Sequence, residues 1–140
     1  MNTQTMPPSI TVSRRDFDRL EALLESPRWQ NHASAAALMQ ELERAQVLEP
    51  DQIGPDVVTM NSTVTCIDET DGSERTLTLC YPNESDSAQG RISVLAPVGA
   101  ALLGLSIGQS IDWPGPEGRP LRLRVAAVSY QPEAAGDYHL

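Results

Sequence analysis

Residues 93–113 read S-V-L-A-P-V-G-A-A-L-L-G-L-S-I-G-Q-S-I-D-W, the most apolar and glycine-rich stretch of a polar, acidic chain. Three readings compete for it: a glycine loop that cradles phosphate, a membrane span, or the core of a small β domain. Gly99, Gly104 and Gly108 fit neither G-x-G-x-x-G nor G-x-x-x-x-G-K-[ST], and no lysine follows. Gly, Ser, Gln and Asp interrupt the run before it reaches the roughly 18 apolar residues that a span needs. The core reading remains. Pro97 and Val98 lead into a short helix over residues 99–103, Gly104 suits its C-terminal cap, and Gly108 suits a turn. Strands flank the helix on both sides.

Working outward, the segments around this stretch alternate with period two, the signature of half-buried strands. Residues 57–68 carry alternating, β-branched side chains. Residues 70–73 (T-D-G-S) form a turn, and residues 75–81 alternate again, with Leu77 and Leu79 on one face. An acidic loop over residues 82–90 leads to a third strand at 91–96. Residues 110–113 make a fourth strand. A Pro/Gly loop at 114–118 precedes a last strand over 119–130, with Leu121, Leu123 and Val125 facing in and Arg122 and Arg124 facing out. With Asp71-Gly72 as a two-residue turn, Cys66 lies opposite Leu77 and Cys80 points to the other face. That geometry favours two reduced, semi-buried thiols over a disulfide.

The period changes on the N-terminal side. After a frayed start at residues 1–8, Ser13-Arg14-Arg15-Asp16 has the S-x-x-D form of a helix start. Phe17, Leu20, Leu23 and Leu24 follow at helical spacing, and Pro27 closes the run. A second helix is predicted over residues 34–47, with Leu38, Leu42 and Ala45 on one face. Two prolines and a glycine within residues 49–55 mark a linker that no helix crosses. The predicted architecture is α+β: residues 1–50 form a short N-terminal antiparallel helical hairpin, or coiled coil, and residues 51–140 form an antiparallel β-sheet domain with one short helix. Trp29, near the helix connection, is either an anchor for a partner or a cap on the open end of the helix pair.

Composition excludes several function classes. The 140 residues carry a net charge of −9, and all ten basic residues are arginine. A lysine-free acidic chain lacks the clustered cations of nucleic-acid binders, the P-loop ammonium and the Schiff-base amine. His32 and His139 lie in no ligand-spaced cluster, so no metal site is expected. No G-x-S-x-G elbow is present. The acidic groups at Asp68, Glu69 and Asp71 read as solvated turn formers. The polar opening residues contain no apolar signal region, which points to a cytoplasmic protein. A binding or regulatory role without catalysis or cofactor is the expectation.

Residues 91–104 (R-I-S-V-L-A-P-V-G-A-A-L-L-G) resemble the C-terminal domain of the bacterial Gre transcript-cleavage factors, whose motif has the form I-S-x-x-S-P-[IL]-[GA]-x-[AG]-[LI]-[LI]-G. Residues 57–64 and the closing strand fit as well. Residues 58–62 (V-T-M-N-S), together with residues 130–138 (Y-Q-P-E-A-A-G-D-Y), resemble more closely a Gre-related family, the regulators of nucleoside diphosphate kinase. The resemblance implies an FKBP-like fold for the C-terminal domain. It also implies binding to RNA polymerase near the secondary channel, in competition with Gre factors. Nucleoside diphosphate kinase is the alternative partner.

In Gre factors, acidic residues at the tip of a long coiled coil help hold a catalytic Mg²⁺. Here the hairpin is short, and residues 27–33 contain Arg28 and His32 but no Asp or Glu. Paired carboxylates are what such a cation requires, so stimulated RNA cleavage is not expected. The polymerase-binding surface of Gre factors, carried over by position, implies Asp86, Ala96, Pro97, Val98 and Gly99. Ala96 stands where that family has serine, a departure that bears on one hydrogen bond. FKBP-like folds also include prolyl isomerases. Their aromatic-lined pocket is poorly matched by Tyr81, Trp113, Tyr130 and Tyr138 with no Phe in the C-terminal part.

Overall fold

The computed structural model describes residues 10–32, 34–114 and 119–137. The expected frayed start at residues 1–8, the 115–118 part of the last loop and His139 lie outside these. Ser13 caps the first helix as its sequence predicts: its Oγ accepts from Asp16 N–H at 3.0 Å, and α1 runs Arg14–Glu25. Leu20 and Leu24 bury one face. The second helix, α2, covers only Ala35–Glu43. Gln46 and Val47, expected to extend it, instead lie in a strand. β2 (Gln46–Leu48) pairs parallel with β1 (Thr11–Ser13), Val12 lying beside Val47. The connection through α1 and α2 is long enough to bring the chain back in the same direction, which is what parallel pairing requires.

The opening stretch is core, as its composition implies. β5 (Arg91–Ser93) is followed by α3 (Pro97–Leu102), with Pro97 in the first turn where a missing N–H costs nothing. Gly104 and Gly108 take left-handed φ values of 81° and 91°. Val94, Leu95, Leu102, Leu103 and Leu105 are all at least 98 % buried. Gly104 is required twice over. Besides its φ, a Cβ there would collide with Ile10 Cβ, because Thr11 N–H donates to Gly104 O at 3.1 Å. The N-terminal strand is thereby seated on the turn that follows α3.

Among the described residues the main sheet has five strands in the order β5-β4-β3-β7-β6, with β3 at Thr63–Asp68, β4 at Ser73–Cys80, β6 at Ser110–Pro114 and β7 at Pro120–Tyr130. It is mixed rather than wholly antiparallel: β5 runs parallel to β4. The 82–90 loop carries two 3₁₀ turns and is long enough to cross over instead of folding back as a hairpin. The β3–β4 register also differs from the expected one. Cys66 faces Arg75, and Val64 faces Leu77, because the turn spans four residues, 69–72. A two-residue slip preserves the faces, so Val64, Cys66, Leu77 and Leu79 are still buried. On the opposite face two threonine pairs cross the strands, Thr63–Thr78 and Thr65–Thr76, each at 3.0 Å.

Residues 57–62 are not part of β3. Val57, Val58, Thr59 and Met60 are all buried, so the apparent alternation there is not one of inside and outside. Asn61 takes a positive φ of 69°, and a turn from Thr59 to Ser62 precedes the strand. Leu123 and Val125 of β7 are buried as expected, while Arg122 pairs with Asp112 and Arg124 with Glu69 at the surface. The core is continuous: Leu20, Leu24, Leu38 and Leu42 of the helices share one cluster with Met60, Leu79, Leu102 and Leu123. Cys66 and Cys80 are both free and buried, and burial raises both thiols above their ordinary pKa.

Candidate functional site

The sequence-derived candidates lie on the 82–96 segment. Asp86 closes a backbone bridge with Arg91, N–H to O in both directions at 2.9 Å. Its carboxylate accepts from Ala88 N–H at 3.2 Å and so caps the 3₁₀ turn of Ser87–Gln89. Gly90, at φ 76°, reverses the chain. The Arg91 guanidinium reaches back to Glu84 O at 3.0 Å and fixes the first half of the loop. Past β5, Ser93 Oγ accepts from Leu95 N–H at 3.0 Å and turns the chain into α3.

These constraints bring Asp86 and Ala96 into one groove of about 500 Å³, with Ser85, Ser87, Arg91, Ile92 and Ser93. Asp86 is exposed and Ala96 is half-buried. Ala96 is the N-cap of α3, and no side chain caps that helix. A serine there would accept from the first-turn N–H groups; alanine leaves them without it. Pro97 and Val98 are half-buried beside the groove. Gly99 is buried, and a Cβ on it would strike the Ser93 carbonyl and come within 3.1 Å of Leu79. Gly99 therefore shapes the surface by letting α3 cross β5 closely and does not form part of the surface. Among the described residues no group of three or more His, Cys, Asp or Glu side chains is placed to hold a metal ion, and no helix is long and apolar enough to cross a membrane.

A second polar cluster was not legible beforehand. Asp16, read from sequence only as a helix-start residue, is 98 % buried, and its Oδ2 accepts from Met60 N–H at 3.1 Å. Burial raises its pKa to about 7, with the nearby Glu133 carboxylate adding to the effect. Glu133 accepts from Thr59 Oγ1 at 2.7 Å, and Thr59 is bound in turn to Ser62. Gln131, 97 % buried, donates to Gly54 O at 2.8 Å and Val57 O at 2.7 Å. Its Oε1 accepts from Ala134 N–H and caps α4 (Pro132–Ala135). The tail thus folds onto the 54–62 segment, and Tyr130 OH donates to Asp137 at 2.5 Å. The two motifs quoted above, residues 58–62 and 130–137, are one structure in space. A signal did exist in the sequence: Gln and Glu flanking a proline right after an apolar strand.

Trp29 is half-buried against the core, with the Arg28 guanidinium 4.9 Å from its ring centroid and the His32 ring 5.9 Å away. Ser34 N–H donates to His32 Nδ1 at 3.1 Å, which leaves Nε2 as the proton-bearing nitrogen of the neutral ring.

Two family models match end to end along this architecture. Residues 8–48 match the model described as "Rnk N-terminus", and residues 52–130 match "Transcription elongation factor, GreA/GreB, C-term". A solved structure described as a prokaryotic transcription elongation factor GreA/GreB from Nitrosomonas europaea superposes with a TM-score of 0.71 at 47 % identity, covering 88 % of this chain and 99 % of that one. The curated "Transcription elongation factor GreA" of Azorhizobium caulinodans is 34 % identical over 88 residues, 63 % of this chain and 56 % of that protein. The fold is that of the Gre-like factors. Within that class the match extends further: "Regulator of nucleoside diphosphate kinase" of Escherichia coli (strain K12) is 47 % identical over 133 residues, 95 % of this chain and 98 % of that protein. The chain belongs to the regulator of nucleoside diphosphate kinase family, with a Gre-type C-terminal domain.

Proposed function

We propose that this chain is a non-enzymatic transcription regulator of the cytoplasm. It binds RNA polymerase near the secondary channel and competes there with Gre-type factors without stimulating RNA cleavage. Residues 51–140, read as an FKBP-like domain, dock through the groove at Asp86 and Ala96, with Pro97 and Val98 beside it. Residues 1–50, read as a short antiparallel hairpin, point toward the channel. The observation that carries this reading is the pairing of a GreA/GreB-type C-terminal domain with a helix connection, residues 27–33, that has no carboxylate. Competition needs only overlapping sites, whereas cleavage needs acidic groups to hold a cation at the tip. Docking without chemistry is therefore what these residues support.

The test is binding of the purified protein to core RNA polymerase against a Gre factor, with RNA cleavage followed in the same reactions. Displacement of the Gre factor with no added cleavage is the expected result. Absence of binding at micromolar concentration overturns it. The name shared by the 47 %-identical relatives favours a second reading, direct action on nucleoside diphosphate kinase. Co-purification of the two proteins in the absence of polymerase would support that reading instead.

A further inference from the structure

A cleft distinct from the groove lies where α1 faces the sheet domain. It holds about 650 Å³ and is lined by Arg19, Ala22 and Leu23 on the helix side and by Asn61, Tyr81, Asn83 and Glu84 on the other. Four observations set it apart. Arg19 and Glu84 enter none of the four ion pairs among the described residues, so the two sides of the cleft carry a cation, close enough to Asp16 to act on its carboxyl, and an anion. The carboxamides of Asn61 and Asn83 take part in no hydrogen bond among the described residues, leaving donors and acceptors on both. Asn61 sits at φ 69°, the one non-glycine residue among those described with a positive value. The Tyr81 hydroxyl is buried, which raises its pKa, and the Arg19 guanidinium, 6.0 Å from its ring centroid, acts on it in the opposite sense.

The charges select the ligand. Arg19 and Glu84 cancel, and the chain around them carries −9. A polyanion such as a nucleotide meets net repulsion, and a simple anion leaves Glu84 without a counter-charge. A small molecule bearing both charges satisfies both walls, since charge-assisted hydrogen bonds are about twice as strong as neutral ones. We propose that this cleft binds a small zwitterion of the amino-acid or short-peptide type, its carboxylate on Arg19, its ammonium on Glu84, and its amide or side-chain polar groups on Asn61 and Asn83. Such a ligand bridges α1 to the 81–84 segment and stabilises the fold, since anything that binds only the folded form does so. The proposal goes beyond the polymerase reading and does not depend on it.

The test uses the full chain with isotope-labelled amide and arginine side-chain groups. The probes are single amino acids and alanylglutamine, each as the free zwitterion, the N-acetylated form and the C-amidated form. The expected result is movement of the Asn61, Asn83 and Arg19 side-chain signals with the free zwitterion. Removing either terminal charge then weakens binding about tenfold or more. Arg19→Gln matches the loss seen on amidation, Glu84→Gln matches the loss seen on acetylation, and neither variant alters the folded spectrum elsewhere. Silence with every zwitterion at millimolar concentration overturns the proposal. So does equal binding of blocked and free forms, or binding of guanosine diphosphate in place of the zwitterions.

Discussion

Asp16 and Asp86 are the same residue type in two regions built to opposite ends. Asp16 is buried beneath the joint of α1 with the 58–62 segment, where Met60 N–H and a second carboxylate surround it. Asp86 stands in solvent on a loop whose backbone groups are already paired with Arg91. The first region is held together by buried and half-buried polar groups, so each one is coupled to stability. The second keeps its shape through main-chain bonds and a few local side-chain contacts at the surface, the Asp86 cap on Ala88 N–H and the Arg91 bond to Glu84 O among them. A candidate docking surface is legible where side chains make only short-range, solvent-exposed contacts.

The largest expected effect lies in the buried region. Folding raises the Asp16 pKa from its ordinary 3.8 to about 7, so the folded protein holds this proton more tightly than the unfolded chain. The contribution is fully present below about pH 4 and is lost as the pH rises through 7, amounting to about 4 kcal/mol at most. Asp16→Asn keeps an acceptor for Met60 N–H and removes the titration. Urea midpoints of the two proteins should therefore diverge across that window, in favour of the variant at pH 8. Parallel curves would show that Asp16 is not the coupled group.

Next in size is Gln131→Ala, which strands the buried carbonyl of Val57 and the half-buried one of Gly54. A loss of about 2–3 kcal/mol is expected, for one to two unmet buried acceptors. A loss under about 0.5 kcal/mol would mean the tail is held by other contacts. Ala96→Ser works in the other direction. It supplies the missing cap of α3 and should add about 1 kcal/mol by thermal melting; no gain would mean the Ala96 geometry does not admit a cap. Smallest for stability is Asp86→Ala, which loses the cap on Ala88 N–H and should cost about 0.5–1 kcal/mol. Its polymerase affinity should fall several-fold by the competition assay, and unchanged affinity would remove Asp86 from the interface.

The same contrast decides what was legible in the sequence. Ser13-x-x-Asp16 and Pro97 to Gly104 announce a helix start and a short capped helix, because caps and turns are written within four residues. The sides of β3 and β4 follow from alternation, but their register does not, since a four-residue turn preserves parity. The parallel pairings of β1 with β2 and of β4 with β5 depend on partners that only the completed fold supplies. Ala96 was reached through a local motif, and Asp86 only by position, through the acidic loop that the family resemblance points to. The Asp16–Met60 and Thr59–Glu133 bonds join residues 44 and 74 positions apart, and no short pattern encodes them.

The seating of Ile10 and Thr11 on the Gly104 turn has a consequence for synthesis on the ribosome. The N-terminal third emerges first, yet the glycine turn that receives its opening strand is made only after roughly another sixty residues, several seconds later at 5–20 residues per second. Until then the apolar faces of α1 and α2 have no completed sheet to cover them. The nascent chain thus passes through an interval of stickiness, and its length is set by the distance between the first strand and the turn that receives it.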